Sequence, residues 1–342
     1  MKVFVTGATG LVGAHSVLAL LGMGHQVRLL VRNRDKARNY FHQQNVVVDD
    51  IVVGDMRDEP LVREAMSGCD AVLHSAALVG IERKRADEIF NGNLAGCKAV
   101  VGSAVEHGIK QILYVSSVGA LFNPGLEEIN ENTPLGSAAE AYGKSKLACE
   151  IFVRALQEKG APVKVTYPAG VIGPADPGLS ESNHALKTFI ETIVPITGSG
   201  GFQFVDARDV GLTHAMLLEK GCERDPREER YMLGGHYHTW SAFADRLDKL
   251  REKKVRRIAL PVSVWHGMGT ICDAIKYIVP FDFPMTRESM AMVTGWVPVN
   301  SSRVLKKTGL VFTAPDRTLT DTLHWLLEAG HLSQKMLGNL NE

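Results

Sequence analysis

The sequence predicts an α/β fold, namely a doubly wound parallel sheet with helices on both faces. Three observations support this prediction. Short apolar runs alternate with helical patterns through the first half, a glycine-rich turn follows the first run, and the rhythm changes after Pro168. Continuous apolar strands separated by helices are typical of a parallel sheet that is buried on both faces.

Six short runs rich in valine, isoleucine and leucine are predicted to be strands, at residues 2–6, 26–31, 51–53, 71–74, 111–116 and 163–167. Helical periodicity between them predicts helices at 11–21, 59–66, 92–107 and 145–158. Because helices separate most of these strands, the connections suit parallel pairing.

The second half is predicted to be a smaller region joined to the sheet. Residues 170–201 are rich in proline, glycine and serine, which predicts loops around one helix at 183–192. Later patterns predict helices at 206–220, 240–254 and 319–329, and a strand at 230–233. His236 and His238 have no acid or cysteine close in sequence, so we expect a surface loop there and no metal site.

Composition argues against several functional classes. The 342 residues carry 38 basic and 38 acidic side chains, and this balance argues against nucleic acid as the main partner. No apolar stretch reaches the ~18 residues of a membrane span. The five cysteines lack C-x-x-C spacing, so we expect reduced thiols in a cytoplasmic protein.

The glycine-rich turn has the spacing G-x-x-G-x-x-G at Gly7, Gly10 and Gly13. In such a turn the first glycine permits a sharp bend, the second a close approach to a pyrophosphate, and the third tight packing of helix on strand. The N–H groups of Leu11 and Val12 would then face the phosphates, assisted by the helix dipole. The sequence therefore predicts a dinucleotide site at the first turn.

The end of the second strand indicates which dinucleotide is preferred. An NAD site usually has an acid there for the ribose 2′-hydroxyl, but this chain continues directly into Arg32. A guanidinium can bind a 2′-phosphate, so we expect NADP, with NAD possible. The alternatives are that Arg32 is a solvated loop charge and that Asp35 turns inward.

A tyrosine, a lysine and a serine are candidates for the chemistry. Tyr142 and Lys146 are four residues apart and share one helix face. A nearby ammonium stabilises a phenolate and is expected to lower the pKa of Tyr142, which would exchange a proton with a substrate oxygen. Ser117 ends a strand at the edge where ligands bind, and we prefer it to Ser116 as the hydroxyl that holds this oxygen.

Several motifs in this order resemble the extended short-chain dehydrogenases/reductases of the NAD(P)-dependent epimerase/dehydratase superfamily, over residues 1 to about 330. They are TGATGLVG (6–13), GD (54–55), HSAA (74–77), YVSSVGAL (114–121), YGKSK (142–146), YPAGVIGP (167–174) and FVDARDVG (204–211). The strand end VRNR resembles that of dihydroflavonol-reductase-like members.

The resemblance implies a Rossmann domain at residues 1–168 and about 202–220, and a substrate-binding region at about 169–201 and 229–330. It implies a catalytic Ser117–Tyr142–Lys146 triad supported by Asn93. The residues expected to contact the dinucleotide are Gly7, Thr9, Gly10, Leu11, Val12, Gly13, Arg32, Asp55, Met56, Ala76, Ala77, Tyr142, Lys146, Pro168 and Val171. Tyr167 departs from the arginine common in relatives, and we expect looser contacts near Pro168.

The preferred hypothesis is an NADP-dependent reductase or alcohol dehydrogenase for a mainly apolar small molecule. No carboxylate follows Ser117, which argues against dehydration, and Lys187 is the only basic residue in 170–204, which is little for a sugar-nucleotide diphosphate. Arg208 is expected to pair with Asp206 or Asp209. A sugar-nucleotide epimerase and, less favoured, a non-catalytic dinucleotide-binding regulator stay open.

Two further expectations concern apolar surfaces. One set of side chains is predicted to wall an apolar pocket or form a lid, or else to pack in a core or an oligomer contact: Trp265, Met268, Ile271, Ile275, Tyr277, Ile278 and Phe281. By the family resemblance, helices 92–107 and 142–158 are expected to pair across a two-fold axis in a homodimer.

Overall fold

A computed structural model describes residues 1–80, 85–137, 140–278 and 286–340, with only the backbone at 276–278. The strands are β1 (Lys2–Thr6), β2 (Gln26–Val31), β3 (Ile51–Val53), β4 (Ala71–His74), β5 (Gln111–Val115), β6 (Val163–Pro168), β7 (Gly170–Ile172), β8 (Val194–Ile196), β9 (Gly201–Asp206), β10 (Arg230–Leu233), β11 (His236–Thr239) and β12 (Arg257–Ala259).

The first seven helices are α1 (Leu11–Gly22), α2 (Arg34–Gln43), α3 (Glu59–Met66), α4 (Ala86–Cys97), α5 (Ser103–Glu106), α6 (Ala141–Glu158) and α7 (Glu181–Glu191). The remaining helices are α8 (Ala207–Glu219), α9 (Trp240–Arg251), α10 (Val262–Ile278), α11 (Arg287–Gly295), α12 (Ser302–Thr308), α13 (Pro315–Glu328) and α14 (Gln334–Leu337). A π-helical turn, Lys98–Gly102, joins α4 to α5 without a break.

Seven strands form a parallel sheet in the order β10-β6-β5-β4-β1-β2-β3, which confirms the predicted fold class. The strand order reverses at β1, whose neighbours are β2 and β4. In open α/β sheets ligands bind at such a reversal, outside the carboxyl ends of the strands. The topology therefore places a candidate site after Thr6.

Side chains of the sheet alternate between two buried layers. Val3 and Val5 belong to the layer with α1 and α8, whereas Phe4 packs on the opposite side with α4 and α6. Both layers are almost free of solvent-exposed apolar surface, because helices cover both faces. This rigid centre holds the strand ends at fixed positions.

A third apolar layer lies away from the large sheet. It contains Ile172, Phe204, Trp240, Phe243 and Leu323, which come from β7, β9, α9 and α13. Strand β9 pairs with β7 in parallel and with β11 in antiparallel orientation. The proposed division into two domains stays a prediction.

Sequence patterns predicted β1 to β4 at the observed residues but missed parts of the second half. Residues 170–201 contain the strands β7 and β8 in addition to the predicted helix. His236 and His238 lie in β11, not in a loop, because their backbones pair with Phe204 and Phe202. His236 also bonds the Thr313 carbonyl at 2.9 Å.

Helix boundaries differ in informative places. Helix α2 was not predicted; it begins because the Asn33 side chain accepts a hydrogen bond from the Lys36 N–H at 2.9 Å. Helices α4 and α6 begin six and four residues earlier than predicted, respectively. Within the ranges given above, no helix is both long and apolar enough to cross a bilayer.

Candidate functional site

A cleft of about 620 Å³ lies at the carboxyl ends of β1, β2, β4, β5 and β6. Its dinucleotide half is contributed by residues 6, 7, 9–13, 30–32, 36, 54–57, 75–79 and 88. Its catalytic half is contributed by residues 115–117, 142, 146, 168, 169, 171, 176 and 178–182. All the sequence-predicted site residues except Asn93 line this cleft.

The glycine turn forms a cradle that side chains would fill. Gly7 has φ of +83°, and a Cβ there would lie 2.6 Å from the Ala76 nitrogen. A Cβ at Gly13 would overlap the Gly7 carbonyl, whereas one at Gly10 would contact only that oxygen, at 3.6 Å. Gly10 precedes α1 without a side-chain cap, so the first N–H groups of a twelve-residue helix face the cleft. These features fit a pyrophosphate.

The end of β2 presents positive charge to the cleft. Arg32 and Lys36 both line it and are exposed. Arg34 turns away and donates to the Ile51 carbonyl at 2.7 Å. Asp35 lies in the first turn of α2 and is not among the lining residues, so the expected alternative of an inward Asp35 is not observed. The sequence analysis did not include Lys36 among the site residues. Asn33 is a typical N-cap residue, and it could have indicated a helix whose first turn carries Lys36.

The neighbouring strand ends complete the dinucleotide half. Arg57 donates to both carboxylate oxygens of Asp55, at 2.8 and 2.7 Å, and this contact lowers the pKa of Asp55. The Met56 side chain packs where Gly96 has no Cβ. Ala76 and Ala77 line the cleft after β4.

The two adjacent serines have different surroundings. Ser116 is buried and donates to the Glu150 carboxylate at 2.8 Å. Ser117 is half-buried at the cleft, where its Oγ accepts from the Gly119 N–H at 3.1 Å and keeps its own proton to donate. This difference supports the choice of Ser117 as the hydroxyl that faces a substrate.

Tyr142 and Lys146 face the cleft from the first turns of α6. Lys146 is 5 % exposed, and its Nζ donates to the Val115 carbonyl at 3.0 Å and lies 5.9 Å from the Tyr142 ring centre. Burial raises the pKa of Tyr142, and the Glu181 carboxylate raises it further. We expected Lys146 to lower the pKa of Tyr142. In the protein without a bound dinucleotide the pKa is raised instead, because burial disfavours the phenolate more strongly than Lys146 stabilises it.

Asn93 lies behind the cleft and does not line it. Its amide nitrogen donates to the Leu78 carbonyl and to the Ser145 hydroxyl, both at 2.9 Å, and its oxygen accepts from the Leu78 N–H at 2.6 Å. Ser145 in turn donates to the Tyr142 carbonyl at 2.7 Å. Asn93 therefore connects the segment after β4 to the first turn of α6.

A loop from the second half covers one side of the cleft. Ala175 and Leu179 both have φ of +54°, a conformation that costs a non-glycine residue ~1–2 kcal/mol. Between them, the buried Asp176 accepts from the N–H groups of Gly178 and Ser180 at 3.1 and 2.6 Å. The Tyr40 hydroxyl donates to the Ala175 carbonyl at 2.9 Å. This loop and Glu181 were not predicted as part of the site.

The described side chains of α10 from the predicted apolar set do not line this cleft. Trp265 is buried, Ile271 and Ile275 are 60 % and 43 % exposed, and neither these residues nor Met268 lines the cleft. Helix α10 packs against α11. The Tyr277 and Ile278 side chains and Phe281 lie outside the described residues.

A doubly wound sheet with a glycine cradle at its reversal and a tyrosine–lysine pair beside it defines a nicotinamide-dinucleotide enzyme. Residues 3–234 match the NAD dependent epimerase/dehydratase family, and the chain belongs to that family, as an extended short-chain dehydrogenase/reductase. This confirms the resemblance.

Similar proteins cover nearly the whole chain. Sterol demethylase protein B of Methylococcus capsulatus is 28 % identical, over 96 % of this chain and 99 % of that protein. A putative dihydroflavonol 4-reductase of Synechocystis is 26 % identical, over 96 % and 95 %. The UDP-glucose 4-epimerase of Bifidobacterium longum, solved with NAD⁺ and UDP, has a TM-score of 0.72 at 18 % identity, over 96 % and 99 %, and shows the shared fold.

Proposed function

We propose that the protein is an NADP-dependent oxidoreductase that reduces a ketone or aldehyde group of a mainly apolar small molecule, or oxidises the corresponding alcohol. The observation that carries this proposal is that Ser117, Tyr142 and Lys146 line one cleft with the glycine cradle. Bound NADPH supplies the hydride that the carbonyl carbon receives.

The three side chains have distinct roles in the reduction. The Ser117 hydroxyl donates a hydrogen bond to the carbonyl oxygen and polarises it. Tyr142 then donates its phenolic proton to this oxygen as the hydride arrives, which completes the alcohol. Because burial raises the pKa of Tyr142, the phenol is protonated at neutral pH, which suits reduction. Lys146 places a positive charge beside the resulting phenolate.

Asn93 is proposed to support this arrangement without touching the substrate. Its hydrogen bonds hold Ser145, which bonds the Tyr142 carbonyl. Pro168 and Val171 form an apolar wall beside the catalytic half and are proposed to contact the nicotinamide. Asp55, Met56, Ala76 and Ala77 are proposed to contact the adenosine side.

NADP is favoured over NAD by the charges at the end of β2. Arg32 and Lys36 line the cleft, and the nearest acid in sequence, Asp35, does not. Two cations can bind a 2′-phosphate, whereas the acid that would bind a free 2′-hydroxyl is missing from this position.

The substrate end favours an uncharged molecule. Among the described residues of the catalytic half, the charged side chains are Lys146, Asp176 and Glu181, and carboxylates repel phosphate-bearing substrates. One relative that this chain matches over 99 % of its length has the word sterol in its name. Sterols combine an apolar body with an alcohol group, which oxidation converts to a ketone. We infer a substrate of this general kind.

A sugar-nucleotide epimerase is the second candidate, because such an epimerase shares the fold. An epimerase of this kind needs cations for the diphosphate of its substrate, and the two candidates, Lys187 and Arg208, form ion pairs with other residues of the chain. Lys187 pairs with Glu191 at 2.6 Å, and Arg208 donates to Asp206 at 2.9 Å and to Asp321 at 2.6 Å. The expected pairing of Arg208 with Asp206 is therefore observed.

The test follows absorbance of the nicotinamide band with NADPH or NADH across sterol, terpenoid and flavonoid ketones and aldehydes. UDP-sugars are included, with product analysis. Loss of the band with an apolar carbonyl compound and NADPH is expected. Conversion of a UDP-sugar without net loss of the band would favour the epimerase, and dinucleotide binding without any turnover would favour the regulator.

A further inference from the structure

A fully buried carboxylate lies beneath the catalytic half of the cleft. Glu150 of α6 has 0 % exposure. One of its oxygens accepts the Ser116 hydroxyl at 2.8 Å. The other accepts Arg154 Nε at 2.7 Å and the Tyr167 hydroxyl. An ionised carboxylate is costly to bury unless several donors satisfy it, and these three donors do so.

Two of these contacts lie next to a residue of the proposed site. Ser116 directly precedes Ser117, and Tyr167 directly precedes Pro168. Glu150 follows Lys146 by one turn of α6. One side chain thus ties together the ends of β5 and β6 and the helix that carries the tyrosine and lysine.

We propose that Glu150 is a positioning residue, which fixes the Ser117 hydroxyl and the Pro168 wall relative to Lys146. The inference rests on the proposed function, for which that relative position matters. Misplacement of a reacting group by a fraction of an ångström lowers turnover while leaving cofactor binding largely intact. Tyr167, which precedes Pro168, takes part in this network through its hydrogen bond to Glu150.

Electrostatics supports the same role. Burial lowers the pKa of Lys146, and the groups that oppose this are Cys149 and Glu150 on α6 and Cys97 on α4. The sheet side is uncharged: His74 of β4 has its pKa lowered to about 3 by burial, and burial raises the pKa of Tyr114 of β5. Glu150 therefore supplies the carboxylate that helps to keep the buried Lys146 protonated.

The test compares Glu150→Gln with the wild type and with Glu158→Gln, which makes the same change at an exposed position of α6. Glu150→Gln is expected to lower kcat by about tenfold, while the KM for NADPH stays within about twofold. The fall of kcat/KM at alkaline pH (the alkaline limb) is expected to begin at a lower pH in Glu150→Gln, because Lys146 no longer has the Glu150 carboxylate nearby to stabilise its positive charge. Unchanged kcat and an unchanged limb in a folded Glu150→Gln protein would overturn the proposal.

Tyr167→Phe tests the positioning effect of the network without removing the charge of Glu150. It also provides a test if Glu150→Gln does not fold. It removes one donor but retains the carboxylate. We expect kcat to fall by about threefold with no shift of the alkaline limb. A loss of thermal stability without any change in kcat would identify a purely structural network and contradict the positioning role.

A third readout does not depend on turnover. Lysine labelled with ¹³C at Cε reports the titration of Lys146, assigned with Lys146→Arg. The pKa of Lys146 is expected to be lower in Glu150→Gln and unchanged in Glu158→Gln, and equal titration in all three proteins would overturn the inference. An inactive wild type with this shift present would contradict the proposed function and the positioning role, and would leave only the charge interaction between Glu150 and Lys146.

Discussion

The glycine cradle in the dinucleotide half of the cleft depends on the absence of side chains, whereas the catalytic half depends on side chains held by buried hydrogen bonds. Gly7 and Gly13 contribute by lacking a Cβ. Lys146, by contrast, depends on the Val115 carbonyl, and Ser117 on its neighbour's contact with Glu150. Changes in the first half should therefore affect binding and folding, and changes in the second should affect turnover.

The largest expected effect tests the catalytic half. Tyr142→Phe removes the proposed proton donor, and kcat should fall by about 10²–10⁴-fold, since that is the usual contribution of a general acid. Dinucleotide affinity, measured by fluorescence titration, should stay within about threefold. Tyr237→Phe, whose hydroxyl bonds the Gly200 carbonyl outside the cleft, is the control. Retained turnover in Tyr142→Phe would remove Tyr142 from the mechanism.

Arg32→Asp tests the dinucleotide half. A hydrogen bond to a charged group contributes ~1.5–3 kcal/mol, so the KM for NADPH should rise by roughly 10- to 100-fold. The KM for NADH should change little. Arg38→Asp makes the same charge change on α2 at a residue that does not line the cleft. Equal losses with both cofactors would mean that Arg32 is only a loop charge.

Two glycines of α1 provide a matched pair for folding. Gly13→Ala places a methyl group against the Gly7 carbonyl, and overpacking of this kind costs ~1–3 kcal/mol in the free energy of unfolding. Gly22→Ala meets no atom within 4 Å and should be neutral or stabilising by up to ~1 kcal/mol. Urea unfolding measures both variants. Equal stability would show that α1 moves freely against the turn.

The smallest expected effect on turnover concerns assembly. The proposed homodimer pairs α4 and α6, and Ile151 of α6 is 53 % exposed in the single chain. Ile151→Lys should convert a dimer into a monomer in analytical ultracentrifugation, whereas Val311→Lys, 89 % exposed in the loop before α13, should not. A wild-type monomer at micromolar concentration would remove the prediction.

The contrast between the halves also explains what could be predicted from the sequence. Strands β1 to β4 are short runs rich in apolar residues, and β1 and β4 are buried almost completely, so local composition located them. Strands β7 and β8 are three residues long and contain glycine or proline, and their partners β9 and β12 lie far along the chain. Such pairings depend on tertiary contacts that no local pattern records.

Site residues divide in the same way. The glycine turn, Tyr142 and Lys146 belong to single helices or turns and follow from local spacing. Asp176 and Glu181 line the cleft from the second half. The loop that carries them has Ala175 and Leu179 in the left-handed backbone conformation, which alanine and leucine rarely adopt, so the sequence did not indicate it. The role of Glu150 required contacts from β5 and β6 together, so its position on α6 alone did not indicate it.

The π-helical turn Lys98–Gly102 has a consequence for how this chain tolerates insertions and deletions. A π turn accommodates one residue more than regular α-helical geometry. If the same residues adopted regular α-helical geometry instead, the preceding turns would rotate by about 100° around the helix axis. Asn93 would then face away from Leu78 and Ser145. The π turn therefore absorbs the surplus residue and keeps Asn93 in register with Ser145, so a one-residue deletion within it should be tolerated better than one between Asn93 and Cys97.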